Sequence, residues 1–459
     1  MAWSDQMPFT NEYSLLIVES PVIAHRIQTL RIPWLEVIAT EGFCWHPKFN
    51  ASTGTLAKKA DPDKKEIRKK IKEKAPWAVR TVIATDSDAS GDFIAWTLAA
   101  FLRKNRIERC HLQLLTEAAI TNSIENRIEI PADSLKNKLE KQFLLHHLWK
   151  RHFRVPAANL LMSALFLKDN LPFKAFRSPD GNLFFSDKPV LTSFSSKFKC
   201  DKPGNDYRLA KPPSLFDLLD ALALEYSETG FERMSCQLFK LFTARLNGNL
   251  LNPISYPRTA TNGYYKETWE SIEKNRIMHR EFEGLRPPPY RDILDDKMAH
   301  ESLRPSCLQT DPKILKGKLK RNLYNIYAII CSQFADSISC PAGKSLKLDD
   351  LNNTSIWPVH KSRNDDITGA APVWTAGTAG KVLSYLGVIR PSNYGKLLDT
   401  WIAEHKLHAD GPVLSAQKFL ETDPELANKA FLLMQACRKI IDDSTATGEC
   451  FHEVFTEYL

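Results

Sequence analysis

The stretch that decides the fold of the first part of the chain reads Thr81-Val82-Ile83-Ala84-Thr85-Asp86-Ser87-Asp88-Ala89-Ser90-Gly91-Asp92. Its first four residues are β-branched or apolar, which is typical of a buried strand. The strand runs into two aspartates spaced i, i+2, and a third acid follows at Asp92. Mg²⁺ is usually bound by one or two carboxylates plus water, and these side chains can supply them. An aspartate-rich turn that caps a helix starting near Gly91 explains the same residues equally well.

A second buried strand, Ser14-Leu15-Leu16-Ile17-Val18, ends at Glu19-Ser20-Pro21. An amphipathic helix is predicted from Val22 to about Leu30, and another strand at Leu35-Glu36-Val37-Ile38-Ala39. Strands and helices thus alternate from residue 12 to residue 125, which predicts an α/β unit. Glu19 lies at the carboxyl end of its strand, where open α/β sheets place their sites. An ordinary glutamate at a helix start remains the alternative.

Length and composition describe a globular protein that can bury a large core. The chain has 459 residues, 43% hydrophobic and 25% charged, and the length favours two to four domains. The net charge of +8 permits a nucleic-acid partner without requiring one. The nine cysteines are scattered and form no C-x-x-C pair, which argues against a zinc ribbon and a disulfide framework. No signal pattern or run of about 18 apolar residues occurs, so a cytoplasmic location is expected.

A lysine-rich run covers residues 58 to 74 and includes Lys58, Lys65 and Lys72. A run of this kind forms either a solvated, partly helical face or a contact with a phosphate backbone. Further along, a helix is predicted from Ala132 to about Phe153, and strands and turns are predicted for residues 165 to 200.

The segment Asn252-Pro253-Ile254-Ser255-Tyr256-Pro257-Arg258-Thr259 offers a second set of reactive groups. Proline biases the preceding Tyr256 towards an extended backbone. The phenol of Tyr256 can act as a nucleophile, and Arg258 can hold a phosphate beside it. A turn with a half-buried tyrosine and a surface arginine is the alternative. Upstream, Ser214 and Asp217 predict a helix start with a capping box. Further helices are expected at residues 231 to 246 and from Lys316 to about Ser337.

Taken together, these segments resemble the type IA DNA topoisomerases. The matching segments are Leu16-Ile17-Val18-Glu19-Ser20-Pro21, Ala84-Thr85-Asp86-Ser87-Asp88 with Gly91-Asp92-Phe93-Ile94-Ala95-Trp96, Leu115-Thr116-Glu117-Ala118-Ala119-Ile120, Pro213-Ser214-Leu215-Phe216-Asp217-Leu218-Leu219, Ile254-Ser255-Tyr256-Pro257-Arg258-Thr259, Ala299-His300-Glu301-Ser302-Leu303-Arg304-Pro305 and Gly387-Val388-Ile389-Arg390-Pro391-Ser392-Asn393-Tyr394. These segments occur in the family's order across residues 14 to 407. No match is found between about residues 126 and 205, and the chain is short for this family.

The resemblance implies a multidomain α/β and α protein. An N-terminal Toprim α/β domain at 12–125 would be followed by a mainly helical, toroidal core. The core would comprise a divergent linking region at 126–210, a nucleophile-bearing helical domain at 211–310 and a C-terminal part at 311–459. The implied activity is ATP-independent cutting and resealing of one DNA strand, with strand passage through the gap. The partner would be single-stranded or underwound DNA, the cofactor Mg²⁺ and the protein a monomer.

The resemblance also implies a role for each site residue. Tyr256 would attack a phosphate and form a transient 5′-phosphotyrosine link. Arg258 would stabilise the charge of the transition state, and His300 would orient the scissile phosphate. Glu19 would exchange a proton with the leaving 3′-oxygen. Asp86 and Asp88, with Asp92 as a further acid, would hold Mg²⁺ mainly for resealing.

The sequence departs from the family pattern around the acids. Ser90 stands where the family has an acid, Ala89 where it has a basic residue, Ile23 where it has a lysine and Phe43 where it commonly has a histidine. Losing a carboxylate should weaken a Mg²⁺ site. Two hypotheses therefore stand beside an active topoisomerase: a topoisomerase-like DNA-binding protein with impaired or no catalysis, and a Toprim protein that nicks without resealing.

Overall fold

The structure is a computed structural model that describes residues 13–86, 88–104, 106–153, 155–166, 175–177, 183–186, 212–246, 249–274, 291–294, 300–306, 312–338, 356–358, 371–416, 423–443 and 445–458. The chain divides into two compact units. The first comprises Met1–Trp149 and Ile440–Phe451, and the second comprises Lys150–Lys439 and His452–Leu459.

The first unit is built on a five-stranded sheet. Its strands are β1 (Tyr13–Val18), β2 (Leu35–Ala39), β3 (Trp45–Asn50), β4 (Thr55–Ala60), β5 (Ala78–Ala84), β6 (Arg106–Arg109) and β7 (Ile128–Pro131). The sheet order is β2-β1-β5-β6-β7, while β3 and β4 form a separate antiparallel hairpin. The first four strands of the sheet are parallel, and β7 runs antiparallel to β6.

The helices of this part of the chain are α1 (Pro21–Thr29), α2 (Lys65–Lys74), α3 (Ala89–Phe101), α4 (Glu117–Glu125) and α5 (Ala132–His152). The core lies between the sheet and α3, because residues 15–18 of β1 and 91–99 of α3 are almost entirely buried. The predicted strands at 14–18, 35–39 and 81–84 and the helix from Ala132 are confirmed. Helix α3 begins at Ala89, two residues before the predicted start.

The second unit is mainly helical and also contains strands. Its helices are α6 (Ala157–Phe166), α7 (Leu215–Glu225), α8 (Phe231–Phe242), α9 (Lys266–Lys274), α10 (Arg321–Ile338), α11 (Ala376–Tyr385) and α12 (Pro391–Ala403); α13 (Pro424–Asp442) and α14 (Glu449–Tyr458) follow at the end of the chain. Its strands are β8 (Ala175–Arg177), β9 (Leu183–Ser186), β10 (Arg245–Leu246), β11 (Asn249–Leu250), β12 (Ile356–Pro358), β13 (Ala371–Thr375), β14 (Leu407–Asp410) and β15 (Val413–Ala416). Six strands form one sheet in the order β12-β9-β8-β13-β15-β14.

Two predicted helix boundaries in this unit are wrong, each for a local reason. The helix expected over 231–246 ends at Phe242, because Arg245 and Leu246 pair with β11 as a short antiparallel ladder. The helix expected from Lys316 begins at Arg321. Gly317 has φ +83, a left-handed conformation that an α-helix does not accommodate. None of the helices in the described ranges is long and apolar enough to span a membrane.

Candidate active site

The parallel register of the first unit brings Glu19 and Asp86 to one edge of the sheet. Val18 of β1 lies opposite both Ala39 of β2 and Ala84 of β5. The three strands therefore end together, and the residues that follow them leave from the same edge. The backbone N–H of Glu41 donates to the carbonyl of Glu19 over 2.9 Å, which fixes the chain just beyond β1. Glu19 and Asp86 are both partly exposed, as groups that meet a substrate must be.

Asp88 is the N-cap of α3, and its Oδ1 accepts a hydrogen bond from the backbone N–H of Gly91 at 2.9 Å. The capping interpretation of the aspartates is thereby confirmed for Asp88. Gly91 lies against the acidic loop so closely that an added Cβ would be 1.8 Å from the carbonyl oxygen of Asp86. Only glycine fits there, because any side chain would collide with backbone atoms. The start of α3 thus packs directly on the loop that carries the acids.

Asp92 lies beneath this loop in a buried ion-pair network and is only 2% exposed. One carboxylate oxygen accepts from Arg109, and the other lies 3.0 Å from Nζ of Lys138. The Arg109 guanidinium also donates to the backbone carbonyls of Thr85 (3.2 Å) and Asp86 (3.0 Å). These contacts favour a structural role for Asp92, since its charge is balanced by two cations.

Sequence reasoning missed Arg109 and Lys138, because neither stands in a segment whose local pattern singles it out.

The carboxylates at this edge fit the ligand preference of Mg²⁺, a hard cation that takes oxygen ligands. In the described ranges no group of three or more His, Cys, Asp or Glu is arranged to hold a metal ion. Mg²⁺ needs fewer protein ligands than that, since it usually keeps several waters. Asp86 and Asp88 are partly exposed around the loop that follows β5 and can offer carboxylate oxygens to Mg²⁺.

The tyrosine segment of the second unit is held by a short antiparallel contact with the histidine segment. Ile254 forms a β-bridge with Pro305. The N–H of Ser255 donates to the carbonyl of Arg304 at 3.0 Å, and the N–H of Arg304 donates to Oγ of Ser255 at 3.1 Å. This pairing brings Tyr256 and His300 together. The resemblance assigned both residues to one site, but the sequence could not show that they are in contact.

Tyr256 is packed among rings and is only 8% exposed. Its ring centroid lies 4.4 Å from that of His300, with the planes tilted by 34°. Phe242 of α8 meets the tyrosine edge-on at 5.7 Å and 87°. Contacts of this geometry restrict the side chain to one orientation.

Arg258 is exposed beside this cluster, and its guanidinium lies 4.6 Å above the ring of Phe239. Helix α8 thus supplies one ring to the tyrosine and another to the arginine. Neither phenylalanine was singled out from the sequence, although both lie on the predicted helix.

A buried ion pair stiffens the segment that follows His300. Glu301 is 1% exposed, and its Oε1 accepts from Nε of Arg304 at 2.7 Å. Its Oε2 accepts from Oγ1 of Thr268 at 2.7 Å. Because these groups are buried, Glu301 holds the backbone just after His300 in place.

Helix α7 is tied to the loop beyond the tyrosine. The predicted capping box of Ser214 and Asp217 is confirmed, and the N–H of Leu215 donates to the carbonyl of Thr259 at 2.8 Å. Burial alone would raise the pKa of Asp217, but the ion pair with Lys381 and the hydrogen bonds from Ser214 lower it below its ordinary value.

Deeper in α7, Asp220 forms no ion pair with any of the residues that the structure describes. Its carboxylate accepts from Oγ1 of Thr375 and from the N–H of Gly377, both at 2.7 Å. Burial raises the pKa of Asp220 to about 7, although these hydrogen bonds act to lower it.

Comparison with known proteins relates the chain to topoisomerases. The Toprim domain family matches residues 14–115. A protein of Helicobacter pylori (strain ATCC 700392 / 26695) named DNA topoisomerase 1 is 23% identical over 475 residues, covering 83% of this chain and 64% of the relative. A protein of the same name from Mycoplasmoides gallisepticum is 32% identical over 423 residues, covering 70% of this chain and 58% of the relative. The chain therefore spans less than two thirds of the length of either relative.

The fold is also that of a solved protein. Full-length topoisomerase I from Thermotoga maritima superposes with a TM-score of 0.63 at 15% identity, over 97% of this chain and 90% of that one. At that identity the likeness concerns the fold alone. It agrees with a Toprim α/β domain at the N-terminus followed by a mainly helical remainder. The matched Toprim domain and the relatives named DNA topoisomerase 1 show that this chain is similar in sequence to DNA topoisomerases, and the solved topoisomerase I shares its fold.

Proposed function

We propose that this protein cuts and reseals one strand of DNA through a transient 5′-phosphotyrosine link at Tyr256, and passes another strand through the gap. The observation that carries the proposal is the packing of Tyr256 against His300, 4.4 Å between ring centroids, with Arg258 exposed beside them on Phe239. A nucleophile, an imidazole and a phosphate-binding cation are thereby grouped on one rigid support. The relatives named DNA topoisomerase 1 support the same activity.

The chemistry follows from the residue types. The phenol of Tyr256 gives up its proton to water, and its oxygen forms a bond to phosphorus as the bond from phosphorus to the 3′-oxygen breaks, so the phosphodiester energy is kept for resealing. Arg258 binds the non-bridging oxygens through bidentate, charge-assisted hydrogen bonds, and these strengthen as charge develops. His300 orients the phosphate. Glu19 gives a proton to the leaving 3′-oxygen and takes it back when the strand is resealed.

Asp86 and Asp88 are the proposed Mg²⁺ ligands. Bound there, the ion would supply positive charge towards the phosphate during resealing. We assign Asp92 to the support of the loop rather than to the metal, because both of its oxygens are engaged by Arg109 and Lys138.

The second candidate function is a DNA-binding protein with impaired turnover. The observation that favours it is the loss of charged groups near the acids, with Ser90, Ala89 and Ile23 in place of an acid and two basic residues of the family pattern. In that case Tyr256 would still be packed as described, while resealing would be slow or absent because the metal is held weakly.

A supercoil-relaxation assay with excess Mg²⁺, combined with trapping of the covalent DNA adduct, tests the proposal. The wild-type protein is expected to relax DNA and form an adduct, and Tyr256→Phe to do neither, because phenylalanine lacks the attacking oxygen. Tyr385→Phe is a matched control, since Tyr385 is 63% exposed and lies outside the cluster. Adduct without relaxation would favour the second candidate, and no adduct from wild-type protein would refute cleavage altogether.

A further inference from the structure

The amino edge of the sheet in the first unit carries a large exposed aromatic ring. Trp77 is 77% exposed and Val79 is 60% exposed. Trp77 immediately precedes β5, while Asp86 follows the same strand. A seven-residue strand is about 23 Å long, so the tryptophan and the acids lie at opposite ends of β5. This ring is therefore not part of the acidic edge of the sheet.

The segment that leads to Trp77 is strongly basic. Its helix α2 runs from the carboxyl edge of the sheet, where Lys64 pairs with Glu41, to the amino edge, where Lys74 pairs with Glu36. Residues 58 to 80 contain ten lysine or arginine side chains and four acidic ones, a net +6 in a chain whose total is +8. Much of this charge is on α2, where Lys65, Lys69 and Lys72 lie on one stripe at positions i, i+4 and i+7 and are exposed. Within the described part of the chain these three lysines form no ion pair. Lys65 and Lys69 are about 6 Å apart along the axis, because each residue rises about 1.5 Å.

The support beneath Trp77 is fixed. A short 3-10 turn, Ala75–Trp77, joins α2 to β5. The hydroxyl of Tyr13 donates to the carbonyl of Lys74 at 2.7 Å, and Nζ of Lys74 lies 3.4 Å from Glu36. These contacts tie the end of α2 to the starts of β1 and β2. The backbone that carries Trp77 is therefore held in place by these contacts.

We propose that the surface formed by Trp77 and the exposed α2 stripe of Lys65, Lys69 and Lys72 binds single-stranded nucleic acid. Proteins that bind single strands combine a basic track for the backbone with exposed aromatic rings on which bases stack. Both parts are present here in one continuous segment, residues 65 to 77. Such binding depends on the charge and the exposed ring and does not require strand cleavage at Tyr256.

An anionic membrane surface is the other partner that a basic helix ending in tryptophan suggests. Such binding requires an apolar helix face that can enter the lipid. In α2 that face is already used, because Ile71 is fully buried and Ile67 packs against the core. The face left exposed is charged, which favours a polyanion whose backbone the lysines can follow.

The test uses the full chain carrying Tyr256→Phe, so that binding is measured without cleavage, and an oligothymidylate containing 5-bromodeoxyuridine. Ultraviolet cross-linking followed by peptide mapping is expected to give an adduct at Trp77. Trp77→Ala should lose the adduct and weaken binding at this surface about tenfold, while Trp77→Phe should largely keep it, because a stacked base contributes roughly 1–3 kcal/mol. Tyr385→Ala, at another exposed ring, is the matched control.

The lysines are tested through salt dependence. Replacing Lys65, Lys69 and Lys72 by glutamine should reduce the slope of log affinity against log salt by about 2, since each single-strand phosphate contact contributes roughly 0.7. The control variant replaces Lys316, Lys318 and Lys320, three exposed lysines of the second unit, and changes the net charge equally. Equal effects of the two triple variants would overturn the proposal, as would the absence of an adduct at Trp77. Trp77-dependent binding to phosphatidylserine vesicles but not to the oligonucleotide would overturn it in favour of a membrane.

Discussion

The tyrosine segment and the acidic edge of the sheet hold their groups in different ways. Around Tyr256 the support is mostly packing: rings of His300 and Phe242 contact the phenol ring. Around Asp86 it is electrostatic: Arg109 holds the backbone of the loop and is itself balanced by Asp92. The difference matches the sequence, where the tyrosine motif keeps the family pattern and the acidic motif departs from it. Because buried contacts hold the acidic loop, it can lose charged side chains at the surface and still keep its backbone conformation.

The largest expected effect lies at the acidic edge. In the double variant Asp86→Ala/Asp88→Ala, Mg²⁺-dependent resealing of a trapped adduct should be abolished, because both proposed ligands are gone. Formation of the adduct at Tyr256 should persist. Resealing kinetics against Mg²⁺ concentration measure this, with Asp133→Ala as a control at an exposed acid of the same unit. Unchanged resealing would refute the assignment of Asp86 and Asp88 as Mg²⁺ ligands. The acidic edge would then have no assigned role in resealing.

The two buried ion pairs allow a direct comparison of stability. Glu301→Gln and Asp92→Asn each leave a buried arginine without its counter-charge, which typically costs about 3–5 kcal/mol in the free energy of unfolding. Urea denaturation measures both losses. Glu425→Gln is the control, because the Glu425–Lys429 pair is exposed and such pairs contribute roughly 0–1 kcal/mol.

These two variants should also differ in function. Asp92→Asn is expected to raise the Mg²⁺ concentration needed for resealing, and Glu301→Gln to slow adduct formation. If both variants changed resealing and adduct formation in the same way, the acidic edge and the tyrosine segment would not be stabilised independently.

A pH-dependent effect is expected from Asp220, which belongs to the tyrosine-bearing unit. Its pKa in the folded protein, about 7, lies above its ordinary value of 3.8, so the folded state binds this proton more tightly. The stabilisation is therefore complete below about pH 4 and is lost as the pH rises through about 7, with an upper bound of roughly 4 kcal/mol. Denaturation curves over this range measure the free energy of unfolding of wild-type protein and of Asp220→Asn. The wild-type value should fall more steeply with pH, and equal pH dependence of the two proteins would show that Asp220 does not titrate there.

The smallest expected effect concerns Phe239 and its contact with Arg258. Phe239→Leu keeps an apolar side chain but removes the ring face, and a cation–π contact contributes about 0.5–2 kcal/mol. The rate of adduct formation should fall roughly 2- to 30-fold, while Phe239→Trp should retain it. If leucine and tryptophan behave alike, packing alone positions the arginine and the ring face is irrelevant.

Much of the local structure could be predicted because its causes are local. The buried strand ending at Glu19, the strand ending at Ala84 and the Ser214–Asp217 capping box each depend on neighbouring residues. The helix ends at Phe242 and Arg321 were missed, because one is set by pairing with β11 and the other by the left-handed Gly317. Arg109 and Lys138 were missed for a different reason: their partner Asp92 is 17 residues from one and 46 from the other.

The sequence by itself determined the order of the motifs, the chemistry of their side chains and the α/β character of the first unit, since periodicity and residue type are properties of short segments. Tertiary structure decided which groups touch. It aligned the strand ends that bring Glu19 and Asp86 to one edge, set His300 on the ring of Tyr256, engaged Asp92 with two cations and left Trp77 exposed after the end of a basic helix. Each of these depends on register and packing between distant segments, which no local pattern encodes.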